Sequence, residues 1–271
     1  MAVCYRHPDR ETGVSCSNCG RPICADCMTS TPVGMRCPEC ARQRTKVRTG
    51  TSAFGRAAGA PATFVLIGIS VVAFLAELAG GVGGLEGGGP VITDFGVFGP
   101  AIADGEWYRI VTGTFLHAGP IHLLFNMFAL YILGTFLEPS LGAARFTALY
   151  VASMLAGSLG VVVLEPVTNS VGASGAVFGL FAAAFVIARG RGMEQIATQL
   201  GALILLNLLI TFTVPRISIG AHLFGAGAGV LCALLILAGD RGRLGPNRMV
   251  AEIGAMVALG VISAVATVAV A

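Results

Sequence analysis

One hydroxyl side chain stands among glycines at the head of a long apolar run, where it could serve as a nucleophile. This residue is Ser174, within the small-residue segment 170–179. Small residues at four-residue spacing, here Gly175 and Gly179, are also how membrane helices pack closely against one another. Taken alone, the segment therefore fits helix packing as well as nucleophilic catalysis.

Three of the four histidines lie in or beside apolar runs, where an ionisable group is costly and indicates a functional site. They are His117, His122 and His222. His122 and Asn126 are four residues apart and share one helix face, and two donors on one face suit the stabilisation of an oxyanion. The alternative for this pair is an interhelical hydrogen bond that holds the bundle together.

A serine and a histidine at one level form a nucleophile and its general base. Small residues around Gly175 and Gly225 let the two helices that carry Ser174 and His222 approach closely, which would place those side chains together. No intramembrane Asp or Glu lies near that level, so we expect a Ser-His dyad. At a helix start the Ser174 N–H is free to join the oxyanion donors.

The elements that must position these residues are long and apolar. With 55% hydrophobic and 11% charged residues, the chain of 271 residues is too apolar for one soluble domain. Seven uncharged runs are each long enough to cross a bilayer, which takes about 17–25 residues. The runs are 57–76, 110–137, 146–164, 166–188, 195–215, 217–239 and 253–271. We predict an all-α polytopic membrane protein with seven transmembrane helices.

Basic residues cluster before the first run and recur in alternate loops, which the positive-inside rule assigns to the cytoplasm. We therefore expect the N-terminus inside and the C-terminus on the outer side, with no signal peptide among the first sixty residues. The net charge of +3 is mostly a topology signal and gives no reason to expect a nucleic-acid partner. The basic residues are Arg42, Arg44, Lys46, Arg48, Arg56, Arg145, Arg189, Arg191, Arg241, Arg243 and Arg248.

In this topology the second, fourth and sixth helices all run from outside to inside, so depth can be counted from their cytoplasmic ends. At 1.5 Å per residue, Ser174, His122 and His222 lie about 22, 24 and 27 Å above those ends. The three depths agree to within one helical turn. Residues that only pack have no reason to coincide, so the agreement favours a hydrolytic site below the outer surface.

The first forty residues contain four pairs of cysteine or histidine, and each pair is spaced to hold a metal. Eight ligands suffice for two tetrahedral zinc ions, whereas seven cysteines and one histidine cannot all pair as disulfides in a reducing cytoplasm. We predict a zinc-binding module at 1–41, a basic linker at 42–60 and a membrane domain at 61–271. The ligands are Cys4, His7, Cys16, Cys19, Cys24, Cys27, Cys37 and Cys40.

The order of these pairs resembles the cross-braced B-box type of zinc finger. That resemblance implies that Cys4, His7, Cys24 and Cys27 hold one ion, and that Cys16, Cys19, Cys37 and Cys40 hold the other. A segment this short has little core of its own, so the metal would supply much of its folding free energy and act structurally. We expect such a module to bind a cytoplasmic protein partner.

The catalytic candidates stand in three motifs that resemble those of the rhomboid family of intramembrane serine proteases. The motifs read His-x-x-x-Asn at 122–126, Gly-x-Ser-Gly at 172–175 and Ala-His-x-x-Gly at 221–225. The resemblance covers roughly residues 60–240 and implies a rhomboid-like bundle. By resemblance Ser174 is the nucleophile and His222 the base, and the oxyanion stabilisers are His122 and Asn126.

Further implications of the resemblance concern the outer loop and the substrate. Arg109 matches a Trp-Arg element of the family, although Trp107 is separated from it by Tyr108, and His117 matches a loop histidine that supports the site. The family implies single-span membrane proteins as substrates, cut near the outer side of the cell membrane. The fifth helix and the first outer loop are then the expected gate.

Two other functions compete with proteolysis. A catalytically inactive rhomboid-like protein would bind or escort membrane clients, but such relatives usually lack the serine or the histidine, and both are present here. A transporter would carry polar groups at several depths, whereas this chain concentrates them at one.

Overall fold

The computed structural model of this chain describes residues 2–31, 34–42, 59–81, 88–215 and 217–271. The chain divides into two compact units, Met1–Thr51 and Ser52–Ala271. Most of the predicted linker at 42–60 lies outside the described residues. Four of the basic residues used to predict the orientation lie there too, namely Arg44, Lys46, Arg48 and Arg56.

The N-terminal unit consists of two small hairpins and a short helix. Strand β1 (Ala2–Val3) pairs antiparallel with β2 (Glu11–Thr12), and β3 (Thr29–Thr31) pairs antiparallel with β4 (Gly34–Arg36). A 3₁₀ turn (Ala25–Cys27) precedes β3, and α1 (Pro38–Arg42) follows β4. Among the described residues of the N-terminal unit, the buried apolar cluster is made of six cysteines and Ile23. This part of the chain therefore has almost no ordinary hydrophobic core.

Among the described residues of the second unit, seven apolar helices make up most of the structure, as the sequence predicts. Six are long and apolar enough to cross a membrane, and the seventh is a shorter apolar helix of 17 residues. In chain order they are α2 (Pro61–Ala79), α6 (Pro120–Leu141), α7 (Ala143–Leu164), α8 (Ser174–Gly190), α9 (Glu194–Thr213), α10 (Ile219–Asp240) and α11 (Arg248–Val270). The outer loop between α2 and α6 carries α3 (Pro90–Phe95), α4 (Gly99–Ala103) and α5 (Arg109–Thr112).

The second predicted run, 110–137, was wrong at its start. Residues 113–119 are not helical, and α6 begins at Pro120, which follows Gly119 with a φ of 153° and occupies the first helical turn, where its missing N–H costs nothing. Pro139 does not end the helix, because a proline in the last turn removes only one hydrogen bond. The end comes at Gly142, whose φ of 81° suits a helix terminus.

The fourth predicted run, 166–188, also began too early. Residues 165–173 form a loop, and α8 starts at Ser174 itself. Its 17 residues span only about 25 Å, against a hydrocarbon layer of about 30 Å. Ser174 thus lies at the start of a helix that is shorter than the hydrocarbon layer.

Helix α8 lies at the centre of the bundle, where it packs against α7, α9 and α10, while α11 packs on α7. Two polar ties fix the outer helices. The Glu138 carboxylate accepts the N–H groups of Ala62 and Thr63 at 2.9 and 2.8 Å, which joins α6 to the start of α2. The buried Glu252 pairs with Arg145 at 3.0 Å, which joins α11 to α7.

Candidate active site

The loop that leads into Ser174 is fixed by glycine. The N–H of Gly172 donates to the carbonyl of Gly113 at 2.9 Å, and Gly172 has a φ of 128°, a left-handed value that favours glycine. A Cβ at this position would also lie 2.6 Å from Cε1 of His122. The sequence therefore presents Ser174, which is half-buried, from a loop that has little freedom.

His222 is buried in the first turn of α10, and its ring stacks on Phe178. The ring centroids are 3.9 Å apart and the planes differ by 14°. Phe178 lies one turn after Ser174 on α8, so the serine and the aromatic ring share a helix face. On its other side, Nδ1 of His222 lies 2.7 Å from the Thr211 hydroxyl of α9.

The backbones of α8 and α10 touch beside these two side chains. A Cβ on Gly225 would overlap the carbonyl of Gly175, and a Cβ on Gly175 would lie 3.1 Å from the carbonyl oxygen of Ala221. The predicted close approach of the two helices is thus confirmed. Gly175 and Ala221 directly neighbour Ser174 and His222 in the chain, so the backbone contact lies one residue from each of them. Within the described residues, the Ser174 hydroxyl is not hydrogen-bonded to His222.

His122 and Asn126 each keep an N–H available. Nδ1 of His122 accepts the N–H of Ala118 at 3.2 Å, so the proton of a neutral ring lies on Nε2. The ring packs against Gly172, two residues before Ser174. The buried Asn126 amide donates one N–H to the carbonyl of His122 at 2.9 Å and retains a second.

His117 is fully buried next to His122, with ring centroids 5.2 Å apart. Its backbone N–H donates to the Glu77 carboxylate at 2.9 Å, and its Nδ1 lies 3.1 Å from the carbonyl of Phe115. Glu77 itself is 2% exposed near the end of α2. His117 therefore lies beside His122, and its role in supporting the site through hydrogen bonds stays a prediction.

Arg109 ties the outer loop together. Its guanidinium donates to the Glu106 carboxylate at 2.6 Å and to the carbonyls of Thr93 and Gly96 at 2.7 and 3.2 Å. The bond from Arg109 lowers the pKa of the Glu106 carboxyl below its usual range. Trp107, by contrast, is 66% exposed. Of the Trp-Arg element, the arginine holds the loop, and the tryptophan faces outward.

Three residues of this site were missed by sequence reasoning, and two of them left a signal in the sequence. Phe178 lies four residues after Ser174, so its place on the same face was readable. Glu77 is a lone acid near the end of an apolar helix, which also marks a functional position. Thr211 left no signal, because a threonine in a leucine-rich helix is ordinary and its partner is set by how α9 lies against α10.

In the N-terminal unit, eight side chains form two groups that can each hold a metal ion. The ligand atoms of each group lie within 4.8 Å of one another. The two groups match the sets that the B-box resemblance implies. They are Cys4, His7, Cys24 and Cys27, and Cys16, Cys19, Cys37 and Cys40.

Distances within the groups fit tetrahedral zinc. Zinc bonds of about 2.3 Å to sulfur and about 2.0 Å to nitrogen give tetrahedral edges of about 3.8 Å between sulfurs and about 3.5 Å between sulfur and nitrogen. Nδ1 of His7 lies 3.9, 3.3 and 3.5 Å from the sulfurs of Cys4, Cys24 and Cys27. The sulfurs of Cys19 and Cys37 are 3.8 Å apart.

Hydrogen bonds favour the ionised form of some of these thiols. The Cys37 N–H donates to the sulfur of Cys16 at 3.3 Å, and this bond lowers the pKa of Cys16 to about 6. Burial acts in the opposite direction on Cys37, whose pKa rises to about 12. Four neighbouring thiols cannot all ionise without a balancing charge, and a divalent cation would supply it.

Comparison with known proteins identifies the membrane unit. A family model for the rhomboid domain matches residues 104–239, half of the chain. The Bacillus subtilis protein named "Putative rhomboid protease YdcA" is 39% identical over 139 residues, 49% of this chain and 69% of that protein. Rhomboid protease GluP of Bacillus subtilis is 32% identical over 203 residues, and RHOMBOID-like protein 5 of Arabidopsis thaliana is 38% identical over 143. The alignments cover 73% and 50% of this chain, but only 39% and 46% of these two relatives.

Proposed function

This chain belongs to the rhomboid family, and we propose that it is an intramembrane serine endopeptidase whose substrates are single-span membrane proteins. Ser174 is the nucleophile and His222 is its general base. His122, Asn126 and the Ser174 N–H stabilise the oxyanion. The observation that supports this proposal is the backbone contact between α8 and α10, which lies one residue from Ser174 and from His222.

The proposed reaction proceeds in two halves. The Ser174 oxygen attacks the substrate carbonyl carbon while His222 takes the hydroxyl proton, and the carbonyl becomes an oxyanion. When the C–N bond breaks, His222 gives the proton to the leaving amine, and an ester to Ser174 remains. Water then attacks the ester with His222 again as base, which releases the new carboxylate and restores the serine.

Stabilisation of the oxyanion explains why His122 must keep its proton on Nε2. The bond from the Ala118 N–H to Nδ1 holds that tautomer, so a neutral His122 is a donor. Asn126 adds its second N–H. Each oxyanion donor typically contributes about a hundred- to a thousand-fold in rate, so Asn126→Ala should slow cleavage by that amount without abolishing it.

The cut falls near the outer side of the membrane in this proposal, because Ser174 lies at the outer end of α8 when the basic loops are cytoplasmic. The N-terminus is then inside and the C-terminus outside. Small residues or helix breakers in the substrate would let its backbone unwind into the site. Mapping both product fragments by mass spectrometry tests this placement, and a cut on the cytoplasmic side would refute it.

The decisive experiment is incubation of the purified full chain in lipid with a panel of single-span substrates. The wild type should cleave, and Ser174→Ala should bind substrate without cleaving it. Ser140→Ala is the matched control, since Ser140 lies at the far end of α6 and donates to the carbonyl of Leu137. Binding without cleavage by the wild type would instead favour a client-binding protein.

For the N-terminal unit we propose two structural zinc ions that take no part in cleavage. Elemental analysis of the reduced, purified chain should find two zinc ions, and Cys16→Ser or Cys24→Ser should each remove one. Cys232→Ser is the control, because Cys232 is buried in α10 and belongs to neither group. The double variant Cys16→Ser, Cys24→Ser should retain cleavage. A zinc content near zero in the wild type, or loss of cleavage in the double variant, would contradict this proposal. A cytoplasmic protein is the partner we propose for the module.

A further inference from the structure

A chain of two hydrogen bonds leads from the backbone of α9 to the proposed base. The Thr211 hydroxyl lies 2.7 Å from the carbonyl of Asn207 in the preceding turn and 2.7 Å from Nδ1 of His222. Thr211 is 3% exposed and His222 is 5% exposed, so water does not compete for these atoms. The direction of the two bonds decides which ring nitrogen carries the proton.

A threonine hydroxyl has one proton and can donate only once. If it donates to Asn207, its lone pair accepts from Nδ1–H of His222, and both contacts are hydrogen bonds. If it donates to a bare Nδ1, the contact with Asn207 brings two oxygens together without a proton. The first arrangement has one more hydrogen bond, which is worth about tenfold in population.

Other threonines of α9 support the same direction. Thr198 and Thr213 each donate to the carbonyl four residues earlier, at 2.9 and 2.7 Å. Both are exposed, and Thr213 also lies 3.5 Å from the carbonyl of Ile210, so donation to a backbone carbonyl is the arrangement that a threonine adopts in this helix without a side-chain partner. Thr211 follows the same pattern and still has a lone pair for His222.

From this geometry we infer that Thr211 is a positioning residue that holds His222 in the tautomer with the proton on Nδ1. Nε2 is then the bare nitrogen that accepts the proton of Ser174. Stacking on Phe178 fixes the plane of the ring, and Thr211 fixes its proton. The inference deepens the proposed function and rests on it for the catalytic role, but the tautomer itself is a property of the folded protein.

Nuclear magnetic resonance of the full chain in lipid, labelled with ¹⁵N-histidine, reads the tautomer without any substrate. The chain has four histidines, and the His222 signals are those lost in His222→Ala. We expect neutral His222 in the wild type to carry its proton on Nδ1. Thr211→Val keeps the shape but removes the hydroxyl, and should raise the fraction with the proton on Nε2 about tenfold.

The cleavage assay then separates positioning from folding. Thr211→Val should lower kcat about tenfold with little change in KM, since only the base is affected. Thr211→Ser, which restores the hydroxyl, should recover both the tautomer and kcat. Thr213→Val is the matched control and should change neither.

A wild-type His222 with its proton on Nε2, or an unchanged tautomer and kcat in Thr211→Val, would overturn the inference. If the wild type cleaves no substrate, the proposed function fails while the tautomer measurement still decides the role of Thr211. The two failures are therefore distinguishable.

Discussion

Helices α9 and α10 both flank α8, but α10 packs closely against it and α9 packs loosely. Along α10 the contact is backbone against backbone, and α8 buries eleven of its 17 residues. Helix α9 buries three of its 20 residues, Ala197 and Leu200 near its start and Thr211 near its end. Between Leu200 and Thr211, each residue of α9 keeps appreciable exposed surface.

The difference assigns separate tasks to the two sides of the site. Nucleophile and base are held by glycine contacts that leave no room for adjustment, which suits groups that must meet within hydrogen-bond distance. A helix packed at its first turns and tied by one hydroxyl near its last can move its outer half at small cost. We therefore expect α9 to be the side that yields to a substrate.

The largest effect should come from forcing the backbone contact apart. Gly225→Leu places a side chain where the carbonyl of Gly175 lies, so His222 should move away from Ser174 and cleavage should fall by at least about 100-fold. Gly227→Leu is the matched control, because nothing lies within 4 Å of a Cβ at that position of the same helix. Initial rates with one substrate in lipid measure both variants. Normal activity in Gly225→Leu would mean that the contact does not set the site.

A smaller effect should follow from removing a leucine on each side of the comparison. Leu180 is fully buried in α8, so Leu180→Ala should lower the free energy of unfolding by about 2–5 kcal/mol. Leu205 is 69% exposed on α9, so Leu205→Ala removes little packing and should change that free energy by less than about 0.5 kcal/mol. Reversible unfolding in lipid-detergent micelles measures both. Equal losses would show that α9 is packed as firmly as α8.

The smallest effect separates two glutamates near helix starts. Glu165 accepts the N–H groups of Ile219 and Gly220 at 2.8 and 3.3 Å and so caps α10. The capped end, Ile219, lies three residues before His222. Glu165→Gln should cost about 1 kcal/mol of unfolding free energy, because the negative charge at a helix N-terminus is lost. Glu194→Gln at the exposed start of α9 should have almost no effect. A larger loss from Glu194→Gln, measured in the same micelles, would reverse the comparison.

The packed side of the site was the predictable side. Small residues at four-residue spacing predict a closely packed helix pair, and the motifs around Ser174, His122 and His222 carry the family resemblance. The start of α8 was not predicted from the absence of charge, because residues 166–173 are also uncharged, although they include the polar residues Thr168, Asn169 and Ser170. There Gly172 and its φ of 128° decide the boundary.

Much less could be predicted from the sequence about the side of the site formed by α9. Leucines of α9 that face lipid look the same in sequence as leucines of a buried helix, so the exposure of α9 had to be seen. For the same reason the contact between Thr211 and His222 was not predicted. Thr211 is neither acidic nor part of a motif, and only the placement of α9 brings its hydroxyl to His222.

The contact between α8 and α10 also bears on the permeability of the membrane. Hydrolysis needs water at Ser174, and water in a bilayer protein is a route by which protons cross if it continues to the other side. One turn further in, a Cβ on Gly229 would overlap the carbonyl of Gly179, so not even a methyl group fits between the helices. A gap that excludes a methyl group has no room for a water molecule. Water that reaches the serine therefore ends there along this path, and we expect the protein to hold a wet site without conducting protons.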